Sequence, residues 1–347
     1  MIAIINDTHF GARNDSPIFL EHFMEFWEKT FFPYLKEKGI KRVIHLGDFF
    51  DRRKYVNFHT LNQVRTRFLE PMHSMGIQMD IILGNHDVFF RNTNRVNSIA
   101  ELLEKYSNIR LHSEPTTVEF DGLEIGLVPW ITKDNSTRCM EFIRKCPAKI
   151  LMGHFEINGY EVLRGVEHRE GMDPSVLRTY DAIYSGHFHC RHSKDNIYYL
   201  GTQYQMTFAD LNERKGFHIL HTDTKKMEFV ENPSQIFQEI SYDDETTDYN
   251  FLNCKPFRNT FVRIVIKNKN RPIMFDNLMD RLNEAPAHSV MIVEQTEKKE
   301  NTEEITVDMT KDTLSLICDE IDSMEGVVDP ARLKTLVREI YTESVQG

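Results

Sequence analysis

The sequence predicts an α/β fold: a two-sheet sandwich flanked by helices, followed by a small α/β domain and by C-terminal helices. Short apolar runs rich in β-branched residues, typical of buried strands, alternate with longer segments of helical periodicity. The chain has 347 residues, of which 40% are hydrophobic. That is enough for a proper core, and for two domains or one domain with an appendage.

The predicted helices have recognisable ends. One helix runs from Ser16-Pro17 to Gly39, because a capping residue, a proline at the first position and a closing glycine all agree. Its apolar stripe is aromatic, and we expect that stripe to pack in the core. Further helices are predicted over residues 58–76, around 98–103, over 136–146 and, as a short segment, from Asp173-Pro174.

The predicted strands include one hairpin. Residues 116–120 and 123–128 are expected to pair about the turn Asp121-Gly122. Other strands are predicted at residues 2–5, 43–46, 81–83, 150–152, 182–184, 197–200, 217–221 and 227–230.

Five short polar motifs each follow a predicted strand. In an open α/β sheet, ligands gather at the carboxyl ends of the strands. We therefore expect the motifs to meet at one edge of one sheet. They are Asp7-Thr8-His9, Gly47-Asp48-Phe49-Phe50-Asp51, Gly84-Asn85-His86-Asp87, Gly153-His154 and Gly186-His187-Phe188-His189.

These motifs predict a metal site. Aspartate, asparagine and histidine together suit manganese, iron or zinc, and they contain no thiolate for a structural zinc site. Seven potential ligands are too many for one ion with an open position, but they suit two ions that share a carboxylate. Two adjacent metals are a known arrangement for phosphoester hydrolysis. Each motif alone could be a turn or a buried histidine, so it is their joint occurrence at strand ends that favours the metal site.

The same motifs resemble those of the calcineurin-like metallophosphoesterases. The resemblance implies two bound Mn²⁺ ions, although the ligands would also accept Mg²⁺, Fe²⁺ or Zn²⁺. It implies that Asp48 bridges the two ions. One ion would be bound by Asp7, His9, Asp48 and His189, and the other by Asp48, Asn85, His154 and His187.

The resemblance also implies two catalytic residues. His86 would lie over the scissile phosphate, where it would stabilise developing charge or protonate the leaving oxygen. Asp87 would orient His86 as a hydrogen-bond partner. The alternative for Asp87 is an ordinary helix N-cap.

A closer resemblance is to the SbcD (meiotic recombination eleven) nuclease family, in its T-even phage recombination endonuclease branch. It is specific over residues 1–230 and loose afterwards, and Gln203 departs from the proline of many relatives. It implies a nuclease that hydrolyses phosphodiester bonds at or near ends of duplex DNA, as a homodimer with an SbcC-type, SMC-like ATPase. The early helices are candidates for the dimer surface. The resemblance rests on residues 5–11, 127–130, 198–202 and 214–217.

Two other functions stay open. Asp51-Arg52 resembles the motif with which Ser/Thr phosphatases grip a phosphate, although Arg53 replaces a glycine and Asp87 a glutamate. A phosphomonoesterase is therefore the alternative enzyme. A non-catalytic docking module is the third hypothesis, but such a scaffold would not need all seven ligands.

The net charge of −11 is unevenly distributed along the chain. Residues 1–240 contain 29 Lys+Arg and 32 Asp+Glu, a net of −3, whereas residues 241–347 contain 13 and 21, a net of −8. Two dications would bring the first part to about +1. Basic residues flank the metal motifs and could bind DNA phosphates, or could simply form a solvated surface. They are Arg13, Arg52, Arg53, Lys54, Arg91 and Arg95.

The sequence predicts a cytoplasmic protein, in the host cytoplasm if it is phage-encoded. No apolar run approaches the ~20 residues of a membrane span, and Met1 leads directly into a strand without a signal peptide. The five cysteines are scattered and are expected to be reduced. Cys190 follows His189 but is expected to be a packing residue.

Four regions are predicted along the chain. Residues 1–240 form the nuclease domain, residues 241–253 a polar linker, and residues 254–294 a β-α-β domain that, by resemblance, caps the site and fits the DNA. Residues 295–308 are a charged linker. Residues 309–347 have the pattern of two amphipathic helices. These helices would dock on the ATPase partner or pack on their own domain.

Overall fold

The computed structural model describes residues 1–285 and 287–294, together with 321, 332–334 and 337. Residues 1–294 form one compact unit. The predicted charged linker lies outside the described residues. So do the predicted docking helices, apart from the five positions from 321 onwards, which are helical.

In the part of the chain that the structure describes, the strands form two six-stranded sheets, a three-stranded sheet and a two-stranded ribbon, so the predicted fold class is confirmed. The first sheet has the order β14-β13-β1-β2-β3-β4 and the second β11-β12-β10-β7-β6-β5. In chain order the strands are β1 (Ile2–Ile5), β2 (Arg42–His45), β3 (Gln78–Ile82), β4 (Ile109–His112), β5 (Thr116–Phe120), β6 (Leu123–Val128), β7 (Ile150–Gly153), β8 (Glu161–Leu163), β9 (Val166–Glu167), β10 (Ala182–Ser185), β11 (His192–Lys194), β12 (Ile197–Tyr199), β13 (Gly216–Leu220), β14 (Met227–Glu231), β15 (Phe237–Asp243), β16 (Phe261–Asn268) and β17 (Ser289–Glu294).

Within the described residues, five longer helices pack against the sheets, close to their predicted positions. Short 3₁₀ turns lie at Pro174–Leu177, Phe208–Asp210, Tyr249–Phe251 and Lys255–Phe257. The helices are α1 (Pro17–Phe26, Trp27–Phe31 and Phe32–Lys38), α2 (Phe58–Val64, Arg65–Leu69 and Glu70–Ser74), α3 (Ser98–Leu103), α4 (Ser136–Lys145) and α5 (Pro272–Glu284).

The central strands of the two large sheets, such as β1 and β7, are buried on both faces. Side chains alternate along a strand, so Ile2 and Ile4 face the second sheet, whereas Ala3 and Ile5 face α1 and α2. A strand covered on both faces needs apolar residues at every position. This explains why β1 reads as a continuous apolar run in the sequence.

Helices α1 and α2 lie against the first sheet and each contains a wider π-helical turn. The turn ends two residues before Pro33 in α1 and two residues before Pro71 in α2. Proline lacks an N–H and its ring clashes with the carbonyl four residues earlier, so a wider turn relieves both problems. The turns meet through Trp27 and Phe68, whose ring centroids are 4.8 Å apart. The aromatic stripe of α1 is buried in the core, as predicted.

The segment before β16 corrects one prediction. The sequence predicts a linker over residues 241–253, but β15 reaches into this segment and pairs in parallel with β16. The buried side chain of Asp244 caps backbone groups: its Oδ1 accepts from the N–H of Asn270 at 3.0 Å. Arg281 of α5 donates to the carbonyls of Tyr249 and Asn250, both at 2.7 Å. Strand β15 therefore belongs to the same three-stranded sheet as β16 and β17, and β16, α5 and β17 follow one another in the predicted β-α-β order.

Two remaining predictions concern membranes and thiols. No helix within the described residues is long and apolar enough to cross a membrane. The four cysteines in the described part of the chain are free thiols. Cys190 is buried, as predicted, and burial raises the pKa of its thiol to about 12.

Candidate metal centre

The five motifs converge, but not at the edge of a single sheet. Those after β1, β2 and β3 extend from the first sheet, and those after β7 and β10 extend from the second. The prediction of one sheet is therefore wrong. The sandwich brings the carboxyl ends of strands from both sheets together. His154, after β7 of the second sheet, contacts the first sheet: its Nδ1 lies 2.7 Å from the carbonyl oxygen of Leu46.

The backbone at the centre is strained. Asp7, His9, Asp48 and His187 all have positive φ values, of 47°, 40°, 57° and 86°. Side chains with a Cβ rarely adopt this conformation, and such strain concentrates at functional sites because the surrounding structure must hold it. Here the hydrogen bonds from Asp7 N to Gly47 O (2.9 Å) and from His9 N to Asp48 O (3.1 Å) join two of the strained loops.

Gly84 is needed because two loops approach closely. A Cβ at this position would collide with the backbone and the carboxylate of Asp48. The glycines that precede the polar residues therefore have a steric function, which lets the Gly-Asp and Gly-Asn motifs pack against each other.

The first half of the centre contains Asp7, His9 and His189. The Nε2 atoms of His9 and His189 face each other at 3.1 Å, and Asp7 Oδ1 lies 3.9 Å from His9 Nε2. The carboxylate of Asp7 accepts hydrogen bonds from the side chain of Asn6 (2.5 Å) and the N–H of His187 (3.0 Å).

The second half contains Asn85, His154 and His187. Asn85 Oδ1 lies 3.0 Å from both His154 Nε2 and His187 Nδ1. The ring of Trp130 covers this half, with its centroid 5.2 Å from that of His187.

Asp48 lies between the two halves. Its Oδ2 is 3.7 Å from His9 Nε2 and 3.3 Å from His154 Nε2. Ligand atoms of Asp7, His9 and His189 lie within 4.8 Å of one another, and so do those of Asp48, His154 and His187. Converging carboxylate oxygens and imidazole nitrogens suit a divalent cation. The described residues therefore fit metal ions in both halves of the centre.

The electrostatics of the centre favour positive charge. Burial alone would lower the pKa of His9, but Asp51 and Asp48 raise it to about 9. Burial likewise opposes the charged form of His154, yet Asp48 and Asp7 raise its pKa to about 9. Burial raises the pKa of Asp48, but His154 and His86 outweigh it and hold this pKa well below its ordinary value. The carboxylates thus attract cations strongly inside a buried pocket.

His86 lies beside this cluster. Its backbone N–H donates to Asp48 Oδ1 at 2.6 Å, and its ring lies edge-on to that of His9 with centroids 4.8 Å apart. Its Nδ1 makes a short hydrogen bond to the carbonyl oxygen of Asp51. A carbonyl oxygen can only accept a hydrogen bond, so Nδ1 carries a proton. Nε2 makes no part of this contact and remains available to a substrate.

Asp87 has a different function from the one predicted. Its Oδ2 accepts from the N–H groups of Asp48 and Gly84, both at 2.8 Å, and its Oδ1 from the N–H of Phe49 at 2.9 Å. The prediction that Asp87 orients His86 is therefore wrong, because both carboxylate oxygens bind backbone donors. Asp87 joins the Gly-Asp and Gly-Asn loops, while the carbonyl of Asp51 orients His86.

Two further residues were not predicted. The carboxylate of Asp51 lies 3.2 Å from Nδ1 of His9 and so orients this imidazole. Its position at the end of the Gly-Asp-Phe-Phe-Asp motif was a signal for such a function. The buried ammonium of Lys215 donates to the carbonyl of His189 at 2.9 Å and pairs with Asp210 at 2.6 Å. Nothing in the sequence around Lys215 indicates this contact.

The basic residues predicted to bind DNA phosphates fall into two groups. Arg52 contacts the side chain of Asn14 and lies 3.9 Å from Asp15. Arg95 lies 3.5 Å from Asp134, and Arg13 lies over the ring of Phe19. Arg53, Lys54 and Arg91 make no ion pair within the described residues. Arg53 also lies near the centre: burial lowers the pKa of its guanidinium, the charge of Arg91 lowers it further and that of Asp48 raises it.

This fold and this cluster define a class of protein. Residues 1–191 match the family model described as calcineurin-like phosphoesterase, and the chain belongs to that family. It is a metal-dependent hydrolase of phosphoric esters, as predicted.

Among known proteins, the chain is similar to exonuclease subunit 1 of Enterobacteria phage T4. The two are 29% identical over 348 residues, which cover 99% of this chain and 98% of the phage protein. This agrees with the phage resemblance inferred from the motifs. Among solved structures, an archaeal phosphodiesterase is 16% identical, with a TM-score of 0.31. The match covers 67% of this chain and 99% of the archaeal protein. A protein of unknown function from Aquifex aeolicus is 21% identical, with a TM-score of 0.31. The match covers 52% of this chain and 87% of the Aquifex protein.

Proposed function

We propose that the chain is a two-metal DNA nuclease, which hydrolyses phosphodiester bonds at or near DNA ends. The single observation that carries this proposal is the position of Asp48. Its carboxylate lies between two groups of potential ligands, with the N–H of His86 bound to its other oxygen. The similarity to a phage protein named exonuclease subunit 1 supports DNA as the substrate.

Each ion would have four ligands. Two manganese ions, or magnesium, iron or zinc in their place, would activate a water molecule and clamp the transferring phosphoryl group when bound. One ion would be bound by Asp7, His9, Asp48 and His189, and the other by Asp48, Asn85, His154 and His187.

The protein's own residues would then orient and transfer a proton. The carbonyl of Asp51 holds His86 through Nδ1 and leaves Nε2 free to give a proton to the leaving oxygen. The carboxylate of Asp51 holds His9, and Asp87 holds the loops that carry Asp48 and Asn85. These contacts keep the reacting groups in place before substrate binds, which lowers the entropic cost of the reaction.

The wider setting is also part of the proposal. A subunit name for the phage relative supports action within a complex. We propose an SbcC-type, SMC-like ATPase as partner through residues 309–347, and a homodimer through α1 or α2. The small domain from β15 onwards would fit the DNA at the site, in recombination or repair in the cytoplasm.

The alternative phosphomonoesterase has less support. That hypothesis needed Arg52 to grip a phosphate, but its guanidinium contacts Asn14 and Asp15 and lies over the ring of Tyr55 at 4.8 Å. The docking-module hypothesis has less support still, because it gives no reason for seven ligands to converge in a strained, buried cluster.

The experiment is manganese-dependent cleavage of end-labelled linear duplex DNA, with p-nitrophenyl phosphate in parallel and Asp48→Ala as blank. His86→Asn is expected to keep its metal and lose about 10²–10⁴-fold in cleavage rate. His221→Asn changes a half-buried histidine that pairs with Glu228 outside the centre, and is the matched control. Monoester hydrolysis without DNA cleavage would select the phosphatase, and normal cleavage by His86→Asn would refute its catalytic function.

A further inference from the structure

Two adjacent phenylalanines, Phe89 and Phe90, are exposed one residue after the His86-Asp87 motif. Asp87 and Val88 are fully buried, yet the side chains of Phe89 and Phe90 are 40% and 48% exposed. Their rings pack edge-to-face with centroids 4.8 Å apart. Two large aromatic rings side by side on the surface, three and four residues from a catalytic histidine, indicate a binding surface.

The loop that carries these rings, residues 88–97, is closed at its base. Val88 and Asn97 form an antiparallel bridge, and the N–H of Phe89 donates to the carbonyl of Val96 at 2.9 Å. The side chain of Asn97 also donates to the carbonyl of Asn94 at 3.0 Å. These bonds hold the backbone of the loop, so the rings are presented by a fixed support.

The loop is also joined to the metal centre. The side chain of Asn94 donates to the carbonyl of Trp130 at 3.0 Å, and the N–H of Asp134 donates to the carbonyl of Asn92 at 3.1 Å. Trp130 in turn covers the second half of the centre. The loop therefore begins just after His86, and its middle is hydrogen-bonded to residues 130–134, whose Trp130 packs on His187.

Charge identifies what kind of molecule this surface suits. Arg91 follows Phe90 directly, and Arg53 lies close enough for the two positive charges to disfavour each other. Neither makes an ion pair within the described residues, whereas Arg52 and Arg95 do. A phosphate between them would relieve the repulsion. Flat exposed rings beside arginines are typical of surfaces that bind single-stranded nucleic acid.

We propose that residues 88–97 form a single-strand platform, on which Phe89 and Phe90 stack unpaired bases next to the scissile phosphate. Arg53 and Arg91 bind the adjoining backbone phosphates. The inference rests on the proposed nuclease function and specifies its substrate: an unpaired or frayed strand rather than a fully paired one. The stacking tolerates any base sequence, because every base offers a flat face.

The test compares the Phe89→Ala/Phe90→Ala double variant with wild type in manganese. Three substrates are used: a single-stranded oligonucleotide, the same strand with abasic residues flanking the scissile phosphate, and a fully paired blunt duplex. We expect kcat/KM of the variant on the intact single strand to fall roughly tenfold or more. On the abasic strand, wild type and variant should be equal, because there is no base to stack.

Two control variants separate stacking from folding. Phe89→Tyr/Phe90→Tyr keeps the rings and is expected to restore cleavage. Val166→Ala removes exposed apolar surface of similar extent outside the loop and outside the metal centre, and should behave as wild type. Equal losses on intact and abasic strands, or no loss at all, would overturn the platform while leaving the nuclease in place. A wild-type protein that cuts none of the three substrates would overturn the nuclease function and, with it, this inference.

Discussion

The two halves of the metal centre are held in different ways. In the first half, side chains hold the histidines: the carboxylate of Asp51 contacts His9, and the ammonium of Lys215 contacts the carbonyl of His189. In the second half, the main-chain carbonyl of Leu46 holds His154. The difference teaches that single substitutions can loosen the first half, whereas the second half depends on the fold of the backbone.

Asp48→Asn should have the largest effect, because Asp48 contacts both halves of the centre and its loss should weaken both at once. A bound metal contributes several kcal/mol to stabilising the transition state, so we expect DNA cleavage to fall by at least about 10³-fold. Calorimetric titration with Mn²⁺ should show weaker binding in both halves. Retention of two tight sites would contradict the bridging position of this carboxylate.

Lys215→Met should destabilise the fold on the side of the first half. Lys215 is almost fully buried, so its removal leaves the carboxylates of Asp210 and Glu213 without their cation. Breaking a buried ion pair costs about 3–5 kcal/mol, which urea unfolding would measure. Arg214→Met, which breaks the exposed pair with Glu231, is the control and should leave the free energy of unfolding almost unchanged.

The same variant should change how stability depends on pH. Burial raises the pKa of Asp210, but Lys215 outweighs this and lowers it below its ordinary value of 3.8. A lowered folded-state pKa stabilises the protein above that value and loses this contribution as pH falls below it. Wild type should therefore lose stability below about pH 4 more steeply than Lys215→Met. Parallel stability curves for the two proteins would refute the pairing.

Asp51→Asn should weaken the first half alone. The substitution keeps the size of the side chain and the carbonyl that holds His86, but it removes the charge beside His9. Loss of such an outer partner reduces metal affinity or activity by about 10–100-fold. Titration with Mn²⁺ should show one weakened site and one unchanged site. Asp134→Asn, at the surface beside Arg95, is the matched control.

Trp130→Leu should have the smallest effect. The ring of Trp130 packs on His187, and contacts of this kind are worth about 0.5–1.5 kcal/mol. Since the main chain still holds His154, metal affinity in the second half should fall by less than about tenfold. A loss as large as that of Asp51→Asn would show that side chains control both halves equally.

Much of this protein could be predicted from local sequence. Strands covered on both faces appear as continuous apolar runs, and capping residues, prolines and glycines mark the helix ends; these signals lie within a few residues of each other. The polar motifs follow the strands directly, so their order along the chain predicts the metal ligands and the family without any coordinates. The burial of the aromatic stripe of α1 was predictable in the same way, from its helical spacing.

What only the tertiary structure decided are contacts between residues far apart in sequence. Lys215 and His189, or His154 and Leu46, meet because two sheets pack face to face, and no local pattern records which sheet a strand joins. For the same reason local sequence predicts three features wrongly. It places all motifs on one sheet, makes Asp87 the hydrogen-bond partner of His86, and makes residues 241–253 a linker. A carboxylate has the same local signature whether it caps a backbone N–H or faces water. Its function depends on which donor the fold brings within hydrogen-bonding distance.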